Sequence, residues 1–80
     1  MYTAKAVSDR ILELCKERNM TVNFLSTHSA VRQSTVNAIV NETTKNPGIV
    51  TIKKLCDGLD ISLTDFFDTE IFRNLEQEIK

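Results

Sequence analysis

The twenty residues from Thr21 to Val40, TVNFLSTHSAVRQSTVNAIV, leave room for two short helices and a tight turn, and for little else. Leu25, Val31, Val36 and Ile39 are the apolar positions of this stretch. With only Ser29-Ala30-Val31 between the two helical segments, the chain reverses within a few residues, and the two apolar faces close on one core. The second helix then opens on Arg32, Gln33, Ser34 and Thr35, polar side chains that a core does not need.

The rest of the chain is helical in pattern. Val7, Ile11 and Leu14 follow the 3.6-residue period, which predicts a first helix from about Thr3 or Ala4 to about Arg18. Thr21 is placed to cap a second helix over about 22–28, because its hydroxyl can accept from the first unpaired backbone N–H groups. A third helix is expected over about 33–41. The polar run 41–48 connects it onward, and Pro47 forbids helix just before itself. Ile52, Leu55, Cys56 and Leu59 predict a fourth helix from about Ile49 to Gly58. Ser62-Leu63-Thr64-Asp65 has the form of a capping box, so a fifth helix starts there and turns Leu63, Phe66 and Phe67 inward. Thr69 is placed to cap a sixth segment, about 70–79, with a stripe of Ile71, Phe72, Leu75 and Ile79. Strand alternation and internal repeats are missing. The fold class is all-α, one domain of eighty residues, near the lower size at which a core sustains itself.

Composition narrows the function. No apolar h-region opens the chain and no apolar run approaches membrane-spanning length, so a cytoplasmic protein without a membrane partner is expected. Cys15 and Cys56 are far apart and without CxxC spacing, which favours buried, reduced thiols over a disulfide or a metal site. His28 lacks a companion at ligand spacing and reads as an exposed residue near a helix end. A Ser-His-Asp set, a paired-carboxylate arrangement and a Gly-rich phosphate loop are all missing, so no catalytic residue, cofactor, metal or small-molecule ligand is expected. The net charge of −1 conceals an asymmetry. Residues 1–56 carry eight cations against four acids, and residues 57–80 two against seven. A basic body can meet phosphate while an acidic tail points away.

The close-coupled helices at Thr21–Val40 have the form of a helix-turn-helix, in which one helix crosses the nucleic-acid backbone and the next enters the major groove. Ile11, Leu14, Leu25, the run SAVRQSTVNAIVN, the loop and helix KNPGIVTIKKLCDGLDIS and the closing SLTDFF occur in order and at matching separations. In these pieces the chain resembles the Cro and phage-repressor type of helix-turn-helix domain, the Xre family, over about residues 7–67. The resemblance implies a compact five-helix, lambda-repressor-like bundle that binds double-stranded DNA, commonly as a transcriptional regulator. It implies a DNA-binding domain over residues 1–68, which leaves 69–80 as a short C-terminal amphipathic helical extension. By position, Gln33, Ser34, Asn37 and Ala38 would read bases from the recognition helix. Asn23, Arg32, Thr35, Asn41, Thr43, Thr44 and Lys45 would meet the DNA backbone, with the amides around Thr43 and Thr44 taking part. Spacing agrees, since Gln33 and Asn37 stand i and i+4 on one face. Either amide side chain can pair bidentately with adenine.

The chain also departs from the family. Ala30, Glu42 and Asp60 stand where it usually has glycine, and Val22 where it often has a phosphate-binding glutamine, for which Asn23 is the nearest substitute. Glycine is favoured where φ is positive, so a left-handed or otherwise strained turn is expected at Ala30. The resemblance further implies pairing of two copies, as a homodimer that forms in solution or only on DNA. For the C-terminal stripe two roles stand open, a two-fold interface or a return onto the first helix, where Leu12 and Cys15 offer an apolar surface. The alternative function is a protein–protein interaction module on the same fold, with weak or no DNA binding.

Overall fold

The computed structural model describes residues 1–79, and all regular structure among them is helical. In chain order the helices are α1 (Thr3–Glu17), α2 (Val22–His28), α3 (Gln33–Val40), α4 (Ile49–Leu59), α5 (Leu63–Phe67) and α6 (Glu70–Arg73). The first five fall within a residue or two of the expected bounds. Two of the expected caps form as side-chain bonds. Thr21 Oγ1 accepts from the Phe24 amide at 3.0 Å and Ser62 Oγ from the Asp65 amide at 2.9 Å.

The helix ends are closed by one repeated device. After α1, the Met20 amide donates to the Cys15 carbonyl and the Asn19 amide to that of Lys16. After α2, Val31 donates to Ser26 and Ala30 to Thr27; after α3, Thr43 donates to Ala38 and Glu42 to Ile39; after α4, Ile61 donates to Cys56 and Asp60 to Asp57. This pairing satisfies the orphan carbonyls of a helix end and needs one residue in the left-handed region. Those residues are Asn19, Ala30, Glu42 and Asp60, with φ of 52°, 57°, 60° and 58°. The left-handed turn expected at Ala30 is therefore present, and all three positions where the family prefers glycine adopt it. The residue after each left-handed one decides where the chain goes. Met20, Val31 and Ile61 are apolar and dock on the core. Thr43 is polar and exposed, so the chain leaves the core there and forms the outward loop before α4.

α1 packs on α2, α3 and α6, α2 on α3 and α4, and α4 on α5. At their junction Ile11, Leu25, Val36, Leu55, Cys56 and Phe66 are fully buried. Both thiols lie in this core, unpaired as disulfides. Burial pushes the Cys15 thiol up against the opposing pull of Arg18, and burial also raises that of Cys56. Arg10 holds α5 in place. Its Nε donates to the Phe66 carbonyl at 2.8 Å and one terminal nitrogen to that of Asp65 at 2.9 Å. Gly58 is needed for packing. A Cβ there would stand 1.9 Å from Ser29 Oγ and 3.0 Å from Ser29 Cβ.

The C-terminal segment differs from expectation. α6 is a single turn rather than a helix over 70–79. Thr69 makes no side-chain cap, and its Oγ1 is buried without a partner. Asn74 Nδ2 donates to the Glu70 carbonyl at 3.0 Å, the acceptor that a continuing helix would give to the Asn74 amide. Beyond it the chain returns to the start of α1. The Glu76 amide donates to the Met1 carbonyl at 3.0 Å, and Glu78 Oε2 accepts from the Thr3 amide at 2.9 Å, a carboxylate at a helix N-terminus. Ile71, Phe72 and Leu75 are half-buried, with the Phe72 ring 4.9 Å from that of Phe67, but Ile79 is 87% exposed and outside the stripe. The segment thus lies against α1 of its own chain. Of the two α1 residues expected to receive it, Cys15 belongs to the core and Leu12 is exposed. Lys80, the last residue of the expected extension, lies outside the described residues.

Two stability measurements test this architecture. Ala30→Gly is expected to raise stability by about 0.5–1 kcal/mol, because relief of the left-handed strain outweighs the added entropy of the unfolded chain. Thermal denaturation checks it, and a lower midpoint in the variant would show an unstrained turn. Gly58→Ala is expected to cost about 1–3 kcal/mol through overpacking against Ser29. In a Ser29→Ala background the same change should cost less by about 0.5 kcal/mol or more, as measured by a denaturant double-mutant cycle.

Candidate nucleic-acid interface

α3 is anchored by two side chains, Val36 and Ile39, both buried. The i, i+3 spacing of these anchors directs the other faces outward. Gln33 and Ser34 are exposed, and Asn37 and Ala38 half-buried, along one ridge of the helix. The four residues expected to read bases are therefore brought together. Arg32 precedes the helix as its N-cap, exposed and without a side-chain cap bond.

The two sides of this ridge are built differently. On one side stands the start of α2, where Gln33 Nε2 donates to Asn23 Oδ1 at 2.5 Å. That bond fixes which way the Gln33 amide points and restricts a long side chain that would otherwise rotate freely. On the other side a cleft of about 330 Å³ separates α3 from the start of α4. Ser34, Thr35, Thr44 and Thr51 bring hydroxyl-bearing side chains to it, and Ala38, Ile39, Asn46, Pro47 and Gly48 complete its wall. α4 begins at Gly48 with no side chain capping its first turn. An uncapped N-terminus of an eleven-residue helix beside several hydroxyls suits an anion. Asn46, Gly48 and Thr51 were not among the expected contacts. The signal for them was the dipeptide Pro47-Gly48 at the mouth of a helix, which marks a backbone end rather than a side-chain donor.

The loop departs from the expected arrangement in one respect. The Thr43 and Thr44 amides both donate to the Ala38 carbonyl, at 2.9 and 3.2 Å, and Thr43 Oγ1 donates there as well. They are taken up in closing α3, so the loop offers outward the side chains of Asn41, Thr44 and Lys45 rather than these amides. Asn41 and Lys45 are exposed. Lys45 does not border the hydroxyl cleft. It lines a neighbouring groove of about 800 Å³ with Lys5, Glu42, Ile49 and Glu78.

The charge pattern is also altered by folding. Arg10 bridges to Glu13 and to α5, Lys5 pairs with Asp9 at 3.3 Å, and Lys53 pairs with Asp57. Arg32 and Lys45, the cations that flank α3, form no ion pair among the described residues. The acidic tail does not point away from the basic body, since Glu78 and Lys45 share one groove. His28 is exposed, as expected, and stacks on Phe24 with ring centroids 5.4 Å apart. Among the described residues no group of three His, Cys, Asp or Glu could hold a metal, and no helix is long and apolar enough to cross a membrane.

Comparison with known proteins places this geometry. A search of curated proteins gives no match. Among solved structures, the crystal structure of prophage Lp1 protein 11 is similar, at 39% sequence identity with a TM-score of 0.82, over 94% of this chain and 100% of that one. The profile of the Cro/C1-type HTH DNA-binding domain matches residues 10–70, a span that holds the ridge of α3, the hydroxyl cleft and the buttress from Asn23. The chain therefore belongs to the Cro/C1-type helix-turn-helix DNA-binding domain family, a family of DNA-binding regulators.

Proposed function

We propose that this protein is a sequence-specific transcriptional regulator, that α3 lies in the major groove, and that two copies occupy paired half-sites as a homodimer on DNA. The observation that carries the reading is the Asn23–Gln33 bond. A surface glutamine with no task gains little from being held, because fixing its rotamers costs entropy. A glutamine that reads a base needs its amide presented in one orientation. Asn23 takes one Nε2 proton, and the other Nε2–H and Oε1 remain for the N7 and N6 of adenine. Asn37, one turn further along the same face, serves the next position. Arg32, Thr35, Asn41, Thr44 and Lys45 position the helix on phosphate and the start of α4 adds a backbone anion site, whereas Thr43, whose amide and hydroxyl close α3 on the Ala38 carbonyl, leaves the expected set. The role is binding, with no catalytic step, and the protein acts where the DNA is, in the cytoplasm.

The alternative, a protein-interaction module on this fold, fits the α3 ridge poorly. Interface centres are depleted of charge and rich in aromatic side chains, and this ridge presents amides, a hydroxyl and a methyl group. Selection of bound DNA from a random pool decides between them. An enriched motif is expected, and failure to enrich any sequence at low salt would remove the DNA reading.

Two variants separate base reading from positioning. Gln33→Ala is expected to cost about 1–3 kcal/mol on the selected site and to relax one base position. Asn23→Ala should relax that same position by a smaller amount. An unchanged motif in a repeat selection with Gln33→Ala would overturn the assignment. Lys45→Ala should instead weaken all sequences alike and lower the slope of log affinity against log salt by about one unit, read from a salt titration.

A further inference from the structure

Residues 74–79 form no helix, yet the chain stays on the molecule there. It crosses the start of α1 as a strap. The Glu76 amide donates to the Met1 carbonyl at 3.0 Å, and Glu78 Oε2 accepts from the Thr3 amide at 2.9 Å. The strap thereby brings the Glu78 carboxylate into the groove that Lys45 also lines. We infer that this strap is an autoinhibitory brake on DNA binding: closed on α1, it holds a carboxylate beside the loop that meets phosphate, and DNA competes with its closure. The inference rests on the DNA-binding reading above, in which Lys45 contacts phosphate.

Charge in the groove carries the first part. Lys5, Lys45, Glu42 and Glu78 all line it. Lys5 pairs with Asp9 at 3.3 Å, whereas Lys45 forms no ion pair among the described residues. With the strap closed, two carboxylates share the groove with that one uncommitted cation. With the strap open, Glu42 and Lys45 are matched. A phosphate approaching Lys45 therefore meets less repulsion once Glu78 has left.

The strap is also built to open alone. Its upstream anchor is Phe72, whose ring stands 4.9 Å from that of Phe67 and 6.1 Å from that of fully buried Phe66. Asn74 then ends α6 by taking the Glu70 carbonyl. Beyond half-buried Leu75 every described residue is exposed, and Ile79 is 87% exposed. A segment held by polar contacts in water, without apolar burial, opens at little cost while the core stays folded. A plain helix cap has no need of such a strap. Tyr2 gives α1 no side-chain cap, and no residue of its first turn is acidic, so the carboxylate at this helix end comes from 75 residues away. Capping of α1 is thus conditional on where the tail lies.

The test measures affinity for the DNA selected by the wild type, by fluorescence anisotropy, for the wild type, Glu78→Gln, Thr3→Pro and Asp60→Asn. Glu78→Gln removes the charge from the strap. Thr3→Pro keeps every charge and removes only the amide to which Glu78 is bonded. Thr3 is the first residue of α1, where proline is accommodated, and Tyr2 before it is already extended, with φ −96° and ψ 167°. Asp60→Asn removes one exposed charge that does not line the groove, and asparagine tolerates the left-handed backbone there. Glu78→Gln and Thr3→Pro are each expected to bind about 2–5-fold tighter at low salt. The gain should fade as salt shortens the screening length, about 10 Å at 0.1 M. Asp60→Asn should stay within about 1.5-fold of the wild type. Matching circular dichroism spectra show that the variants are folded. No gain in Glu78→Gln, a gain there without one in Thr3→Pro, or an equal gain in Asp60→Asn overturns the brake and leaves the DNA reading intact. A wild type that selects no DNA at low salt removes both.

Discussion

The fold depends on residues that turn left-handed at the ends of helices. Asn19, Ala30, Glu42 and Asp60 each hold a positive φ, and each allows the same two backbone bonds to close a helix and reverse the chain. None of the four is glycine. At three of them the next residue along the chain offsets the backbone strain, since Met20, Val31 and Ile61 dock on the core immediately after the turn. The tightest consequence is at Ala30. There the turn sets the α2 and α3 apolar faces on one core and leaves the polar ridge of α3 pointing out.

The same device explains why one connection behaves differently. After α3 the residue beyond the left-handed position is Thr43, which is polar and stays exposed instead of docking on the core. Its amide and hydroxyl close the helix on the Ala38 carbonyl, and the chain then runs outward. The outward loop creates the hydroxyl cleft on one side and the apolar groove on the other. The loop and the two surfaces beside it thus trace to one polar residue just past a helix end.

In the proposed DNA-binding role the interface divides its work by rigidity. Gln33 is held by Asn23, whereas Arg32 and Lys45 are exposed cations without an ion pair among the described residues. A group that distinguishes bases needs a fixed direction, and a group that neutralises phosphate needs only nearness. Cations that pack internally, Arg10 above all, contribute instead to the fold. The side chain of Arg10 is 12% exposed and holds the carbonyls at the end of α5. Counting charge along the chain could not separate these two kinds of cation, because their pairing depends on which helices become neighbours.

Much was legible without coordinates because it is local. The periods of Val7, Ile11 and Leu14 and of Ile52, Leu55 and Leu59 set the first and fourth helices, Thr21 and Ser62 set two helix starts, and Gln33, Ser34, Asn37 and Ala38 share a ridge through helical spacing alone. The C-terminal segment was not legible. Its apolar stripe reads as helix, yet one turn forms, because Asn74 takes a helix carbonyl and Glu76 and Glu78 find partners at the far end of the chain. The sequence by itself determined the first five helices, their turns and the identity of the exposed polar ridge, since each depends on neighbours within a few residues. Only the tertiary structure decided that Asn23 buttresses Gln33, that the Thr43 and Thr44 amides turn inward, that Arg10 serves α5, and that Ile49 and Val50 stand uncovered beside the outward loop. These depend on contacts between distant segments, and such contacts exist only once the core has brought the helices together.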